Sequence, residues 1–303
     1  MAISRTQLIK ELVPGLNTLF GMEYKRYPDQ HKEIFEVTSS DRAFEEELKL
    51  SGFALASQKD EGDAVAYDTA QESYVARYEH RTVALAFGLT EEAIEDNLYG
   101  ELSSRYTKAL ARSMAYTKQV TAASTLNNAF SGSFLGGDAK SLCATDHPLV
   151  SGGTNSNKAS TGVDLNETSL EAAVIQIQAW TDERGLLIAA MPKKMIIPTN
   201  IQFVAERLFK TVGRVGVADN DVSAFKSMGV VPGGYTVNNW LTDTNAWFLT
   251  TDVPNGLKHF VRSGLKTAME GDFDTGNVRY KARERYSFGW SDALGIWGSS
   301  GST

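Results

Sequence analysis

Residues 90–130, TEEAIEDNLYGELSSRYTKALARSMAYTKQVTAASTLNNAF, constrain this chain more than any other stretch. They contain no proline. Ile94, Leu98, Leu102, Tyr106, Leu110 and Met114 recur every fourth position, with Ala109, Tyr116 and Val120 at three-residue steps. This spacing predicts one amphipathic helix. Thr90 is a suitable N-cap, acids crowd the first turns (Glu91, Glu92, Glu95, Asp96), and bases follow (Arg105, Lys108, Arg112, Lys118), the order the helix dipole favours. At about 1.5 Å per residue the helix would run roughly 50–60 Å, with Gly100 its weak point. So long a rod needs several other elements along one side, and it is read here as the support onto which sheets pack.

The remaining 260-odd residues are ordinary enough to supply those elements: of 303 residues 42% are hydrophobic and 22% charged, sufficient for one large or two smaller domains. A net charge of −7 argues against a protein devoted to nucleic-acid binding. The lone Cys143 excludes an internal disulfide and a cysteine zinc site. The N-terminal MAISRTQLIKELVPGL does not read as a signal peptide, and no apolar window reaches membrane length.

In residues 1–26, Leu8, Leu12, Leu16 and Phe20 keep a four-residue step interrupted by Pro14, Gly15 and Gly21, which predicts a short helix and then an extended arm ending near Tyr27-Pro28. Residues 34–50 read as a strand, a turn at Ser39-Ser40-Asp41 and a short acidic helix. Period-two runs at 64–68 and 74–79, parted from the preceding segment by Lys59-Asp60-Glu61-Gly62-Asp63, predict a protruding hairpin or long ribbons. A strand at Thr82–Phe87 leads to the long helix. After a Gly/Ser/Asn-rich loop (131–164), a second α+β unit opens with a capping box at Thr168–Glu171. It continues through a strand at Lys194–Ile197, a helix capped by Thr199 and Gln202, and strands at 235–241 and 246–250. Finally Val278, Tyr280, Ala282, Tyr286, Phe288 and Trp290 alternate with Arg279, Lys281, Arg283 and Arg285, broken only by Glu284. This strand is expected to return to the first unit, making the second an insertion.

Catalytic signatures are scarce. Cys143 and His147 form the best nucleophile and base candidate, yet adjacent Asp146 provides no orienting geometry by default. His31, His80, His147 and His259 lack metal-ligand spacing and are expected at the surface or hydrogen-bonded. No phosphate-loop, dinucleotide or nucleophile-elbow motif occurs. The basic side of 278–290 fits either phosphate or acidic segments of a neighbour, such as Glu45-Glu46-Glu47, and the chain's negative charge favours the neighbour. Two protruding apolar segments without enzyme chemistry point to a subunit that contacts copies of itself.

The order of parts resembles the major capsid proteins of tailed bacteriophages with the HK97-type fold, and more narrowly the Mu-like major head subunits. The residues that carry the resemblance are RTVALAFGLTEEAIEDNLYG (81–100), TLNNAF (125–130), SLCATDHPLVSGGTNSN (141–157), MIIPTNIQFVAERLF (195–209), VNNWLTDTNAWFL (237–249) and ERYSFGWSDALGIWGSSG (284–301). The resemblance implies an α+β fold with an N-terminal arm (1–36) and a peripheral domain in three parts (37–51, 81–164 and 266–303). A spine helix at 90–130, a protruding hairpin or E-loop (52–80) and an inserted axial domain (165–265) complete it. It implies self-assembly into hexamers and pentamers of a closed virion shell made in the bacterial cytoplasm and expanding as double-stranded DNA enters. A separate scaffolding protein, a portal and a decoration protein are implied partners, with non-specific DNA contact, no cofactor, no metal and no membrane. Expected contacts between subunits are Leu8, Leu12, Phe20, Tyr67, Tyr74, Tyr78, Glu45, Glu46, Arg279, Lys281, Arg283 and Arg285. The alternatives are an encapsulin-like shell, a tail-tube protein and, in another class, a cysteine hydrolase using Cys143 and His147.

Overall fold

The computed structural model describes residues 5–90, 99–213, 223–271 and 276–302. Its elements in chain order are α1 (Arg5–Arg26), β1 (Glu36–Ser39), β2 (Phe44–Leu50), β3 (Glu72–Glu79), β4 (Arg81–Leu89) and α2 (Tyr99–Asn127). Then follow β5 (His147–Pro148), β6 (Thr154–Asn155), α3 (Glu167–Gln178), β7 (Pro192–Ile197), α4 (Gln202–Lys210) and α5 (Ala224–Met228). The last are β8 (Tyr235–Val237), β9 (Trp247–Thr251), β10 (Leu257–Gly271), β11 (Val278–Trp290) and β12 (Ile296–Ser299).

Helix α2 has 29 described residues, about 43 Å of rod. The predicted beginning, with Thr90 as cap and Ile94 and Leu98 on the stripe, runs into 91–98, outside the described residues. Its buried seam is Ser103, Thr107, Leu110, Ala111, Met114, Ala115, Ala122, Ala123 and Leu126. Leu110 and Met114 were on the predicted stripe, but Tyr106, Ala109, Tyr116 and Val120 face outward. Small side chains let the helix lie close to a sheet, whereas a pattern weighted by large apolar residues picks the neighbouring face.

That sheet has the order β1-β10-β11-β4, with β1 parallel to β10 and the other pairs antiparallel. One of its faces presents Tyr280, Ala282, Val83, Phe87, Leu265 and Met269 to α1 and α2, where Leu16, Phe20, Leu110, Ala111 and Met114 close the core. The predicted alternation of β11 therefore holds, with Val278, Tyr280, Ala282 and Tyr286 buried. Its one irregularity is explained too. Glu284 points to the helix side and meets Lys118 of α2 at 2.5 Å.

The second sheet, β12-β9-β7-β8, is buried on both faces. Met195, Ile197, Trp247, Leu249 and Trp297 pack with Leu170 and Ile177 of α3 on one side. Ile196, Phe248 and Ile296 pack on the other against Leu126, Leu142, Cys143, Ile34 and Phe35, so α2 runs from one sheet to the other.

Several sequence expectations are corrected. The N-terminal segment is a continuous helix through Pro14, with Phe20 buried on its own chain. Packing on α2 outweighs the missing backbone donor. Phe44–Leu50 is a strand, because pairing with β3 and period-two burial override the helical preference of its glutamates. Helix α3 is capped two residues earlier than expected, by Asn166 and Ser169, and α4 follows a 3-10 turn without a side-chain cap. Strand β10 has no counterpart among the expected elements: its first four residues are all buried and register shifts near Ser263 interrupt it, so the alternation is confined to Gly264–Glu270. It belongs to the first sheet from Leu257 on, whereas β12 rejoins the second.

Candidate functional site

Residues 51–71 leave β2 and return to β3 as an extended excursion that turns at Asp60–Asp63, where the Asp63 amide donates to the Asp60 carbonyl at 3.2 Å. Its neck is closed by hydrogen bonds within the chain. Ser51 N–H donates to the Gln71 carbonyl (2.9 Å), Ala54 N–H donates to Asp68 Oδ2 (2.8 Å), and Arg184 Nη2 reaches Asp68 Oδ1 (3.0 Å) and the Thr69 carbonyl (2.8 Å). Beyond the neck nothing covers it: Phe53 is 62% exposed, Leu55 82%, Val65 65% and Tyr67 98%. An isolated subunit gains nothing by presenting four large apolar side chains to water. Of these, only Tyr67 was singled out from sequence; the other three carried the same signal, apolar residues in a segment too polar to own a core.

The base of this structure is fastened to its own body. Tyr78 is buried, stacks edge-on with Phe260 at 4.7 Å, and its hydroxyl meets that of Ser291. Tyr74 donates to the Ser291 carbonyl at 3.1 Å. A Cβ at Gly137 would lie 2.5 Å from the Val75 carbonyl oxygen, so only glycine lets the 131–140 loop close against β3. Lys49 bridges Glu183 (3.1 Å) and Asp292 (3.0 Å), and Glu47 takes Lys258 at 2.5 Å and Ser291. Tyr74, Tyr78 and Phe20, expected at subunit contacts, are thus engaged within the chain. So is Glu45, which accepts from Ser40 Oγ at 2.6 Å, while Glu46 stays half exposed beside Arg77 (3.6 Å). Leu8 and Leu12 lie on α1, but their side chains are outside the description.

The first sheet's other face carries the cations. Arg279, Lys281 and Arg283 are exposed and Arg285 half-buried, with Arg285 Nε 3.4 Å from the His80 carbonyl. In register, Lys281 lies between Ala268 and Ala86, Arg283 between Lys266 and Ala84, and Arg279 between Glu270 and Gly88. On the β4 side the neighbours Ala84, Ala86 and Gly88 are all small, which leaves that flank of the long side chains open.

The candidate nucleophile and base are separated by their surroundings. Cys143 is buried, and burial pushes its thiol well above the ordinary range, the reverse of what a thiolate nucleophile needs. His147 faces elsewhere, with Nδ1 2.5 Å from Asp138 Oδ2 and Nε2 3.0 Å from Asn157 Oδ1. Asn157 in turn donates to the carbonyls of Leu142 (2.8 Å), Ala293 (2.7 Å) and Ile296 (3.1 Å). The cysteine hydrolase reading is corrected: these residues pin the 131–165 loop to the second sheet. All four histidines are buried; His31, His80 and His147 are hydrogen-bonded, one of the two expected environments, whereas the His259 ring has no hydrogen-bond partner among the described residues. The described residues hold no cluster of His, Cys, Asp and Glu fit for a metal, and no described helix is long and apolar enough to cross a membrane.

Comparison with solved structures returns the same architecture. A virus-like particle protein from Pyrococcus furiosus is similar at TM-score 0.54 and 11% identity, over 95% of this chain and 99% of that one. The capsid of Cyanophage P-SCSP1u gives 0.55 and 12%, over 88% and 85%. The procapsid protein of bacteriophage JBD30 gives 0.51 and 16%, over 99% and 77%. At such identities the likeness concerns the fold, which is of the HK97 type. Among curated proteins no match was found. A profile of the family described as phage capsid protein matches residues 74–298, spanning β3 to β12 and both sheets. By that match the chain belongs to the phage capsid protein family, and with the fold it shares with capsids it is a major capsid shell protein.

Proposed function

We propose that this subunit builds the icosahedral head of a tailed phage as hexamers and pentamers, in which the 51–71 excursion of each copy lies across a neighbour. The uncovered Phe53, Leu55, Val65 and Tyr67 carry this reading. Fully burying a large apolar side chain is worth about 1.5–3 kcal/mol, and only contact between molecules can bury these. We divide the chain into a peripheral part around the first sheet and α2 and an axial part around the second sheet. The axial part leaves the first body after the 131–165 loop and hands back to it at β10. The sequence runs quoted above support placing the chain with the Mu-like head subunits. A scaffolding protein, a portal and packaged double-stranded DNA are proposed partners, with synthesis in the bacterial cytoplasm.

Negative-stain microscopy of the expressed chain, with and without a candidate scaffold, tests this reading. Closed shells of one size, or pentamers and hexamers, are expected. A monomer at every concentration and with every scaffold would overturn it.

A further inference from the structure

We infer that Asp138, His147 and Asn157 form a proton-binding site, and that the bound proton, carried as a His147 imidazolium, latches the 131–165 loop shut. The donors and acceptors around the ring fix its state. Asn157 Nδ2 meets three carbonyl oxygens, those of Leu142, Ala293 and Ile296, and Asn157 Oδ1 takes the Ala144 N–H at 2.9 Å. Turning that amide over would set oxygen against three oxygens, so it has one allowed orientation. Oδ1 also faces His147 Nε2, at 3.0 Å, and this nitrogen therefore has to donate. On the other side of the ring Nδ1 lies 2.5 Å from Asp138 Oδ2, while Asp138 Oδ1 accepts from the Lys140 N–H at 3.1 Å. A neutral imidazole has one N–H; these neighbours require two.

The charges nearby call for the same cation. The His147 and Asp138 side chains are 7% and 3% exposed, so water screens neither, and a charge-assisted bond between them is strong. Asp146, next along the chain, is matched by Lys140, which leaves the imidazolium as the cation for Asp138. On the β3 side the Tyr74 hydroxyl, raised first by burial, also feels Asp292, Asp138 and Glu183, and Lys49 is shared between Asp292 and Glu183. Lys158 acts on the buried, neutral Cys143 and lies over the Phe130 ring. Loss of the proton would set a ring lone pair against Asp138 or Asn157. Asn157 cannot turn to relieve this, because its amide is committed to three carbonyls and its own carbonyl accepts from Gly298 of β12 at 3.0 Å. Relief comes from the loop leaving, so the latch holds with the proton bound and releases as pH rises. The loop also closes on β3 at Gly137, and the proton thus secures a connection between the root of the excursion and the second sheet. The site lies within one chain and does not depend on the shell reading.

NMR of the full chain with isotope-labelled histidine reads the ring nitrogens directly, and His147→Gln identifies the signals of His147. Near neutral pH both of its nitrogens are expected to carry protons. In Asp138→Asn the new amide can donate to a bare Nδ1, so the ring is expected to be neutral at the same pH, with the fold retained by thermal melting. Limited proteolysis within 131–165 is expected to speed up at least tenfold in the wild type as rising pH removes the His147 proton, and to stay level in Asp138→Asn. A wild-type ring with one bare nitrogen near neutral pH would overturn the inference. So would cleavage of the wild-type loop that ignores loss of that proton, or a ring that stays doubly protonated in Asp138→Asn. The two wild-type measurements decide the matter even where Asp138→Asn fails to fold.

Discussion

Lys118 and Glu284 meet at 2.5 Å where α2 crosses β11, with Glu284 almost wholly buried. Lys118 also donates to the Tyr24 hydroxyl at 3.0 Å and lies over the Tyr286 ring. One charge thus ties α1, α2 and the sheet. Removing one partner of a buried pair strands the other charge, at about 3–5 kcal/mol. Lys118→Met is therefore expected to lower the melting temperature sharply, and Lys118→Met with Glu284→Met to regain much of the loss. Beside this pair His31 and His259 sit with rings 5.2 Å apart, and His259 stacks on Phe288 at 4.2 Å. Burial pulls them down to about 4 and about 3 from an ordinary 6.5, with Lys118 and Lys32 also lowering both and Asp29 opposing. Both shifts run downward, so the unfolded chain takes up these protons first. Their stability contribution is intact above pH 6.5 and falls as pH drops toward 4 and 3. His259→Phe is expected to flatten the slope of stability against pH in that window, measured by denaturant unfolding at several pH values.

The elements most legible in the sequence are those whose burial has a clean period. Strand β11 alternates because one face meets the helices and the other meets solvent, and Glu284, an apparent flaw in its pattern, marks where that face is polar. The rod at α2 is legible as a helix, but its orientation is not, since alanine, serine and threonine make up most of its seam beside Leu110, Met114 and Leu126, and the conspicuous tyrosines lie outside it. Strand β2 reads as a helix by composition because pairing with β3, invisible in a local window, decides its state. The 131–165 loop could be located but not understood: its order depends on Asn157, whose partners Ala293 and Ile296 lie over 130 residues away. Asn157→Ala would remove the amide shared by the Leu142, Ala293 and Ile296 carbonyls, of which Ala293 keeps the Ile296 N–H, and the oxygen that accepts from Ala144 N–H; each buried polar group left unpaired costs about 1–3 kcal/mol before any relaxation. That variant is expected to melt far below wild type and to be cut within 131–165 by limited proteolysis, whereas Asn128→Ala, which loses one bond within a helix end, should change little.

At the scale of the whole molecule, two sheets are joined through a point of backbone contact. A Cβ at Gly295 would lie 2.3 Å from Gly256 Cα, so the connections entering β10 and leaving β11 pass with no side chain between them, and each body holds the other's register. Against this closed framework the excursion is the exception. Of residues 51–71 only Ser51 is buried, and the ion pairs and tyrosine contacts that fix β2 and β3 lie outside its apolar part. Stability of the subunit and its capacity to assemble are therefore carried by different residues. Replacing 53–67 with a short Gly-Ser turn keeps Asp68, Thr69 and the strands, so the melting temperature of the isolated subunit is expected to stay within a few degrees of wild type. The same chain loses Phe53, Leu55, Val65 and Tyr67, about 6–12 kcal/mol of burial at each contact if all four are covered, and is expected to form no shells by negative stain. A shortened chain that still closes into particles would show that the excursion is not what joins one subunit to the next, whatever the stability of the chain that carries it.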